Sequence, residues 1–156
     1  MIRVQREPFD TGAEIAAATE GNPRVGGVCS FLGLVREMND GTGVSAMTLE
    51  HYPGMTEKML ARVETEARER WPLEAVSIVH RYGRMEPTEA IVLVVTASPH
   101  RHAAFEACQF LMDWLKTQAP FWKREETTEG SRWVDARRDD DEAAARWLPS
   151  EARGSG

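Results

Sequence analysis

The chain has 156 residues, of which 42% are hydrophobic, and it carries a formal net charge of −6. This size predicts one globular domain over residues 1–148 followed by a disordered tail over 149–156, because domains cluster at about 100 to 150 residues. The negative charge argues against a protein that binds nucleic acid through bulk positive charge. No apolar run resembles a membrane helix or a secretory leader, so we expect no membrane contact and a cytoplasmic location.

The first half of the chain predicts a short edge strand at residues 2–6 and a helix from Thr11, whose spacing to Glu14 has the form of a capping box. Residues 25–35 are apolar with three glycines, which predicts a strand with a bulge or a close backbone approach. A second strand is expected over 44–52, where apolar and polar residues alternate along the chain.

The middle of the chain predicts a helix over 55–70, ended by Pro72, and two strands over 75–82 and 90–97 joined by a turn over 83–89. The second of these strands is expected to be buried on both faces. Ser98 and Pro99 suit the N-cap and first turn of a helix that runs to about Thr117. Its core stripe is expected to consist of the apolar residues at helical spacing, namely Phe105, Cys108, Met112 and Leu115.

After Pro120 an extended segment, a turn and a returning strand are expected, followed by a short helix over 139–147. Helices and strands mix without strict βαβ alternation, which indicates the α+β class. Cys29 and Cys108 lie in apolar runs and predict buried free thiols, since two such residues form no disulfide framework and no metal site of usual spacing.

Three segments place cations at the end of an apolar element. Arg36 follows the glycine-containing strand, His100 and Arg101 open the long helix, and Lys116 and Lys123 flank its end. Of the 19 cationic residues only three are lysines. Lysine can lose its proton when desolvated, whereas arginine stays charged, so two lysines seven residues apart favour acid–base or nucleophilic chemistry. Together these cations predict a site for a small phosphorylated ligand.

Each of these residues also has a structural explanation. A single arginine is usually a solvated surface residue, and His100 can simply satisfy a helix end. Lys116 can complement the helix dipole. His51 and His80 alternate with apolar residues in strands, which favours packed or interface histidines. Motifs for hydrolases, phosphate loops, zinc sites and dinucleotide binding do not occur in the sequence.

Four phrases of the sequence carry a resemblance to a known family: LEHYPGMTEKML (49–60), RWPL (70–73), SPHRHAAFEACQFLMDWLKTQAPFWKRE (98–125) and SRWVDAR (131–137). They resemble the large subunit of molybdopterin synthase, the MoaE family, and the similarity runs from about Gly26 to Trp147. The resemblance implies an α/β hammerhead fold with an added antiparallel β subdomain. It further implies a homodimer that binds two small ubiquitin-like subunits and so forms a heterotetramer.

The resemblance also implies the reaction. Sulfur moves from the C-terminal Gly-Gly thiocarboxylate of the small subunit to cyclic pyranopterin monophosphate, and two transfers form the dithiolene that later holds molybdenum. The implied catalytic residues are Lys116 and Lys123. The implied substrate-binding residues are Arg36, His100, Arg101 and, from the neighbouring large subunit, Arg137. No metal or other cofactor is expected, because the sulfur arrives on the partner.

Two other functions remain open at this point. A docking module would bind the ubiquitin-like tail without transferring sulfur, and a phosphate-ligand binder would use the cationic site without a protein partner. Binding of a Gly-Gly-tailed protein is expected of a docking module and not of a phosphate-ligand binder. Sulfur transfer is expected of the enzyme and of neither alternative.

Overall fold

The computed structural model describes residues 1–39, 41–134 and 145–148. These residues form three helices and nine strands, which appear in the following order along the chain: β1 (Ile2–Gln5), α1 (Thr11–Thr19), β2 (Gly27–Leu34), β3 (Met38–Asn39), β4 (Thr42–His51), α2 (Met55–Arg70), β5 (Ala75–Arg81), β6 (Gly83–Met85), β7 (Ala90–Ser98), α3 (Arg101–Thr117), β8 (Phe121–Thr127) and β9 (Gly130–Val134). Within this part of the chain, no helix is long and apolar enough to cross a membrane.

The strands divide into two sheets. The first has the order β1-β5-β7-β2, with β1 parallel to β5 and the other neighbours antiparallel. The second has the path β3-β4-β8-β9, with β6 also paired to β4, and every pair is antiparallel. The predicted α+β class with an added antiparallel subdomain is confirmed.

The main core lies between the first sheet and the helices α2 and α3. Strand β7 is buried from Val92 to Ser98, as its unbroken apolar run predicts. Helix α2 contributes an apolar stripe, Leu60, Val63 and Ala67, each at most 1% exposed. A smaller cluster around Met47, Leu49 and Met85 fills the second sheet. The two cores leave the junction between the sheets to polar and aromatic side chains.

The glycines of β2 permit a close approach to the start of α3. A Cβ on Gly26 would lie 2.2 Å from the carbonyl oxygen of Pro99, and one on Gly27 would lie 3.4 Å from the Cα of Arg101. A bulge between Gly33 and Leu34 shifts the register with β7. Both features that the three glycines predicted are therefore present.

Several local predictions are wrong. The N-cap of α1 is Asp10, whose carboxylate accepts the N–H of Ala13, so Thr11 is already helical. Strand β6 lies inside a segment predicted to be a turn. Phe105 is 63% exposed and does not belong to the core stripe of α3.

The N-cap of α3 is His100 rather than Ser98. Ser98 remains in β7, where its hydroxyl donates to the carbonyl of Pro72 and accepts from the N–H of His100. The predicted helix over 139–147 and the predicted tail over 149–156 lie largely or wholly outside the described residues.

Candidate active site

A groove of about 420 Å³ lies between β2 and α3. Lys116 lines this groove from the last turn of α3, where a cation is stabilised by the negative end of the helix dipole. The other lining residues come from the same two elements: Cys29, Ser30, Phe31, Phe105, Cys108, Gln109, Met112 and Asp113. Phe31 and Phe105 are 42% and 63% exposed, so the groove presents apolar rings to solvent beside an ammonium group.

Lys123 lies on β8, two residues beyond Phe121. It pairs with Leu49 of β4, and Phe121 pairs with His51. Side chains two residues apart on a strand share a face, and so do residues directly opposite each other in an antiparallel pair. Lys123 therefore emerges on the same face as Phe121, the face that packs toward the first sheet.

His80 packs between the two sheets. Its ring stacks on that of Phe121, with centroids 3.8 Å apart and planes 16° apart, so it joins the end of β5 to the start of β8. Its pKa is lowered to about 4, first by burial and then by the positive charge of Lys116 and by His51, against a backbone hydrogen bond that raises it. The stack therefore ties the face of β8 that carries Lys123 to a histidine whose pKa responds to the charge of Lys116.

The imidazole of His80 is neutral at physiological pH. Its Nδ1 lies 2.9 Å from the carbonyl oxygen of Arg81, which only accepts hydrogen bonds, so Nδ1 carries the proton. The ring of His51 packs 4.3 Å from that of Tyr82 and 6.3 Å from that of Phe121. The prediction of two packed histidines is confirmed.

Arg36 follows β2 at the end of the sheet to which α3 points. Strand β2 runs antiparallel to β7, and α3 reverses direction after β7, so β2 and α3 run the same way. Arg36 is exposed, and the backbone of Val35 before it is fixed by hydrogen bonds with Glu89 and Thr88. Arg36 and Lys116 therefore belong to the same end of this layer.

His100 and Arg101 lie at the opposite end of α3. Both are exposed, at a helix N-terminus whose free N–H groups and dipole favour anions. Fifteen residues of helix separate Arg101 from Lys116, a span of about 22 Å at 1.5 Å per residue. The sequence groups these cations into one candidate site, and within one chain they form two separate groups. Arg137 lies outside the described residues.

The sequence analysis missed Asp113, which is only 7% exposed and lines the groove three residues before Lys116. A charged residue inside an otherwise apolar helical stripe was the available signal, since carboxylates are rarely buried without partners. Cys108 is buried and Cys29 is partly buried, both as free thiols. Burial raises the pKa of Cys108, which keeps its thiol protonated. No cluster of three metal-ligating side chains occurs among residues 1–39, 41–134 and 145–148.

The chain is similar to known proteins along most of its length. The sequence profile of the family described as "MoaE protein" matches residues 4–118. The molybdopterin synthase catalytic subunit of Ralstonia nicotianae is 58% identical over 94% of this chain and 83% of the relative. The solved MoaE protein of Burkholderia ambifaria superposes with a TM-score of 0.81 at 52% identity, covering 94% of this chain and 97% of that one.

A more distant structure shares the fold. It is a protein–protein complex of subunits 1 and 2 of the molybdopterin-converting factor from Helicobacter pylori, with a TM-score of 0.72 at 19% identity, covering 87% of this chain and 91% of that chain. Because the profile match spans most of the chain and the Ralstonia protein is identical at more than half of the aligned positions, the chain belongs to the MoaE family.

Proposed function

We propose that this chain is the catalytic subunit of a molybdopterin synthase. It transfers sulfur from the C-terminal thiocarboxylate of a small ubiquitin-like subunit to cyclic pyranopterin monophosphate and forms the dithiolene of molybdopterin. The observation that carries this proposal is Lys116 in an open groove between β2 and α3. The family to which the chain belongs supports the same reaction.

The groove fits an extended tail without side chains. It has a volume of about 420 Å³, and its rim carries the exposed rings of Phe31 and Phe105. A Gly-Gly terminus can pass between such rings because glycine has no Cβ. The thiocarboxylate at its end would then reach Lys116, where the ammonium group attracts its negative charge.

The chemistry needs stabilisation of charge at the tail carbonyl. The thiocarboxylate sulfur attacks a substrate carbon that carries an oxygen substituent. The carbon–sulfur bond forms, the carbon–oxygen bond breaks and the oxygen leaves with a proton, which gives an acyl thioester on the pterin. Water then attacks the acyl carbon. The resulting oxyanion collapses, the acyl carbon–sulfur bond breaks, and the tail leaves as a carboxylate while the sulfur stays on the pterin. A lysine ammonium beside the carbonyl stabilises this oxyanion, which is the role proposed for Lys116. Lys123 is proposed to bind substrate or to carry the protons that the steps release.

The substrate phosphate is proposed to bind His100, Arg101, Arg36 and Arg137. Because α3 separates Arg101 from Lys116 by about 22 Å in one chain, a homodimer offers the simplest way to complete the site. The N-terminus of α3 in one copy would then face the groove of the other, as would Arg137. Two small subunits on such a dimer give the heterotetramer, and the Helicobacter pylori complex of two subunits is a related assembly on the same fold. A cytoplasmic location is part of this proposal, and cell fractionation tests it.

The test is conversion of cyclic pyranopterin monophosphate to molybdopterin by the purified chain with a thiocarboxylated small subunit. We expect product from the wild type and a loss of at least about 100-fold in kcat for Lys116→Ala, the range for removal of an oxyanion donor. Lys58→Ala is the matched control, since Lys58 is an exposed lysine of α2 outside the groove. It should retain wild-type activity.

The other outcomes identify the alternatives. A folded wild-type chain that binds the small subunit but releases no product is a docking module. A chain that binds the phosphorylated pterin but not the small subunit is a phosphate-ligand binder. Equal loss in Lys116→Ala and Lys58→Ala would remove Lys116 from the proposed chemistry.

A further inference from the structure

The Asp113 carboxylate lies between the groove and the C-terminal residues 145–148. It is 7% exposed and lines the groove beside Lys116. On its other side it accepts the indole N–H of Trp147 at 2.6 Å, and the guanidinium of Arg146 lies 3.7 Å away. The amide of Gln109 also donates to it, at 3.2 Å. A buried carboxylate is costly unless such donors satisfy it, so these contacts define its position.

Trp147 is held in place independently of Asp113. Its ring packs edge-on against Trp71 and Phe110, with centroids 5.6 and 5.5 Å away. Its backbone carbonyl accepts a hydrogen bond from Arg70 at 3.0 Å. The packing therefore aims the indole N–H at the carboxylate. Trp147 itself lies beyond residues 4–118, the part of the chain that the family profile matches.

Asp113 and Lys116 are potential partners on the surface of α3. Residues three apart on a helix are neighbours, and an acid that precedes a lysine has the favourable orientation for an ion pair. Both line the same groove. Yet in the part of the chain that the structure describes, Lys116 forms no ion pair, whereas Asp113 is engaged on the side of Trp147 and Arg146.

We propose that Trp147 is a positioning residue that, with Arg146, occupies the Asp113 carboxylate and keeps the Lys116 ammonium available to the groove. Without the indole N–H, one carboxylate oxygen loses its shortest hydrogen bond and turns to Lys116. The ammonium group of Lys116 then pairs with Asp113 rather than with the thiocarboxylate or the oxyanion. This inference rests on the proposed function of Lys116, and it assigns a catalytic consequence to residues at the far end of the chain.

The test is a double-mutant cycle on the full chain, with sulfur transfer from a thiocarboxylated small subunit as the assay. Trp147→Phe keeps the ring and removes the N–H. We expect it to lower kcat about fivefold, with the KM for the small subunit unchanged, in the range of coupling between contacting residues. In an Asp113→Asn background, which has no carboxylate to capture Lys116, Trp147→Phe should have no further effect.

Trp71→Phe is the matched control. Trp71 belongs to the same aromatic cluster and donates its indole N–H to Glu106 at 2.9 Å, so this variant removes an equivalent bond without releasing Asp113. It should keep kcat within about twofold of the wild type. Equal losses of kcat in Trp71→Phe and Trp147→Phe would mean that the effect comes from a general loss of stability and not from the release of Asp113. An undiminished effect of Trp147→Phe in the Asp113→Asn background would overturn the proposal.

A second readout separates this inference from the proposed function. An amine-reactive acylating reagent labels an ion-paired lysine more slowly, and peptide mass spectrometry reports Lys116 relative to the exposed Lys58. We expect labelling of Lys116 to fall about threefold in Trp147→Phe and to recover when Asp113→Asn is added. If the wild type transfers no sulfur, the proposed function fails, and this labelling still decides the contact. Unchanged labelling in Trp147→Phe rejects it.

Discussion

The two ends of α3 use positive charge in different ways. At the N-terminus the helix dipole, His100 and Arg101 all favour an anion, and both side chains are exposed. At the C-terminus the dipole is negative, and Lys116 is set beside a neutral histidine and an engaged carboxylate. The first arrangement suits the holding of a phosphate. The second arrangement suits a lysine whose charge acts on a reacting group. The comparison supports substrate binding at the N-terminus of α3 and chemistry at its C-terminus.

The largest effect is expected at the chemical end. Lys123→Ala should lower kcat by roughly two to three orders of magnitude, because proton transfer by a positioned group contributes about 100- to 10,000-fold. Arg124→Ala is the control, since Arg124 points to the opposite face of β8, with its guanidinium 6.0 Å from the ring of Trp133. The assay is single-turnover sulfur transfer. If Lys123→Ala raises only the KM for the pterin, Lys123 binds substrate. Substrate binding and chemistry would then not be separated between the two ends of α3.

The next largest effect is expected on stability, and it comes from the buried neutral residue His80. The pKa of His80 is about 4 when folded against an ordinary 6.5, so between these values the unfolded chain binds a proton that the folded chain does not. The contribution is complete above pH 6.5 and is lost as pH falls toward 4, by about 3 kcal/mol at 1.36 kcal/mol per unit. Denaturant unfolding from pH 7.5 to 4 measures it.

His80→Phe removes the titrating group and keeps a ring to stack on Phe121. We expect its free energy of unfolding to fall less steeply between pH 6.5 and 4 than that of the wild type, whatever its value at pH 7.5. His102→Gln, at an exposed histidine in the first turn of α3, is the control for the loss of a histidine. A wild-type slope in His80→Phe would show that His80 is not the residue that resists protonation near Lys116.

A smaller effect is expected at the binding end. Arg101→Ala should raise the KM for the phosphorylated pterin about tenfold with little change in kcat, because a phosphate contact made equally in the ground and transition states affects binding alone. His102→Ala is the control, since His102 is the adjacent exposed side chain and contacts Glu106. A fall in kcat for Arg101→Ala with an unchanged KM would place Arg101 at the chemistry and contradict the division.

Helices and strands were predicted well from the sequence where proline or glycine residues mark their ends. Helix α2 begins and ends as expected because Pro53-Gly54 and Pro72 bound an apolar stripe. The errors arise where tertiary contacts decide. Ser98 has the chemistry of an N-cap, yet its hydroxyl bonds to Pro72 and the cap moves to His100. Phe105 has core spacing but lies on the groove rim, which only the position of β2 determines.

The candidate site was predictable as residues but not as an arrangement. Lys116 and Lys123 could be found from the scarcity of lysine and from resemblance. The stack of His80 on Phe121 could not, because it joins strands of two different sheets. The contact of Asp113 with Trp147 is equally non-local. The separation of Arg101 from Lys116 follows from helix length alone, and it was missed because the cations were counted without their spacing along α3.

The smallest effect tests how firmly each end of α3 is fixed. Ser98 is fully buried, and its hydroxyl accepts from the N–H of His100 at 3.1 Å while donating to Pro72 at 2.7 Å. Thr117 donates to the carbonyl of Asp113 at 2.9 Å in the last turn. Ser98→Ala should lower the free energy of unfolding by about 1 kcal/mol, as for a lost cap, because it removes two hydrogen bonds to backbone groups at once.

Thr117→Ala should cost only a few tenths of a kcal/mol, because the carbonyl of Asp113 keeps its place in the helix and alanine is the better helix former. Urea unfolding of both variants measures the difference. This order means that the N-terminus of α3, where the phosphate is proposed to bind, is fixed by side-chain hydrogen bonds to the sheet. The C-terminus is instead positioned by the rings and the carboxylate around Lys116. Equal costs would mean that the two ends are held alike, and the rigidity of the phosphate end would then rest on the packing of Gly26 and Gly27 against the start of α3 alone.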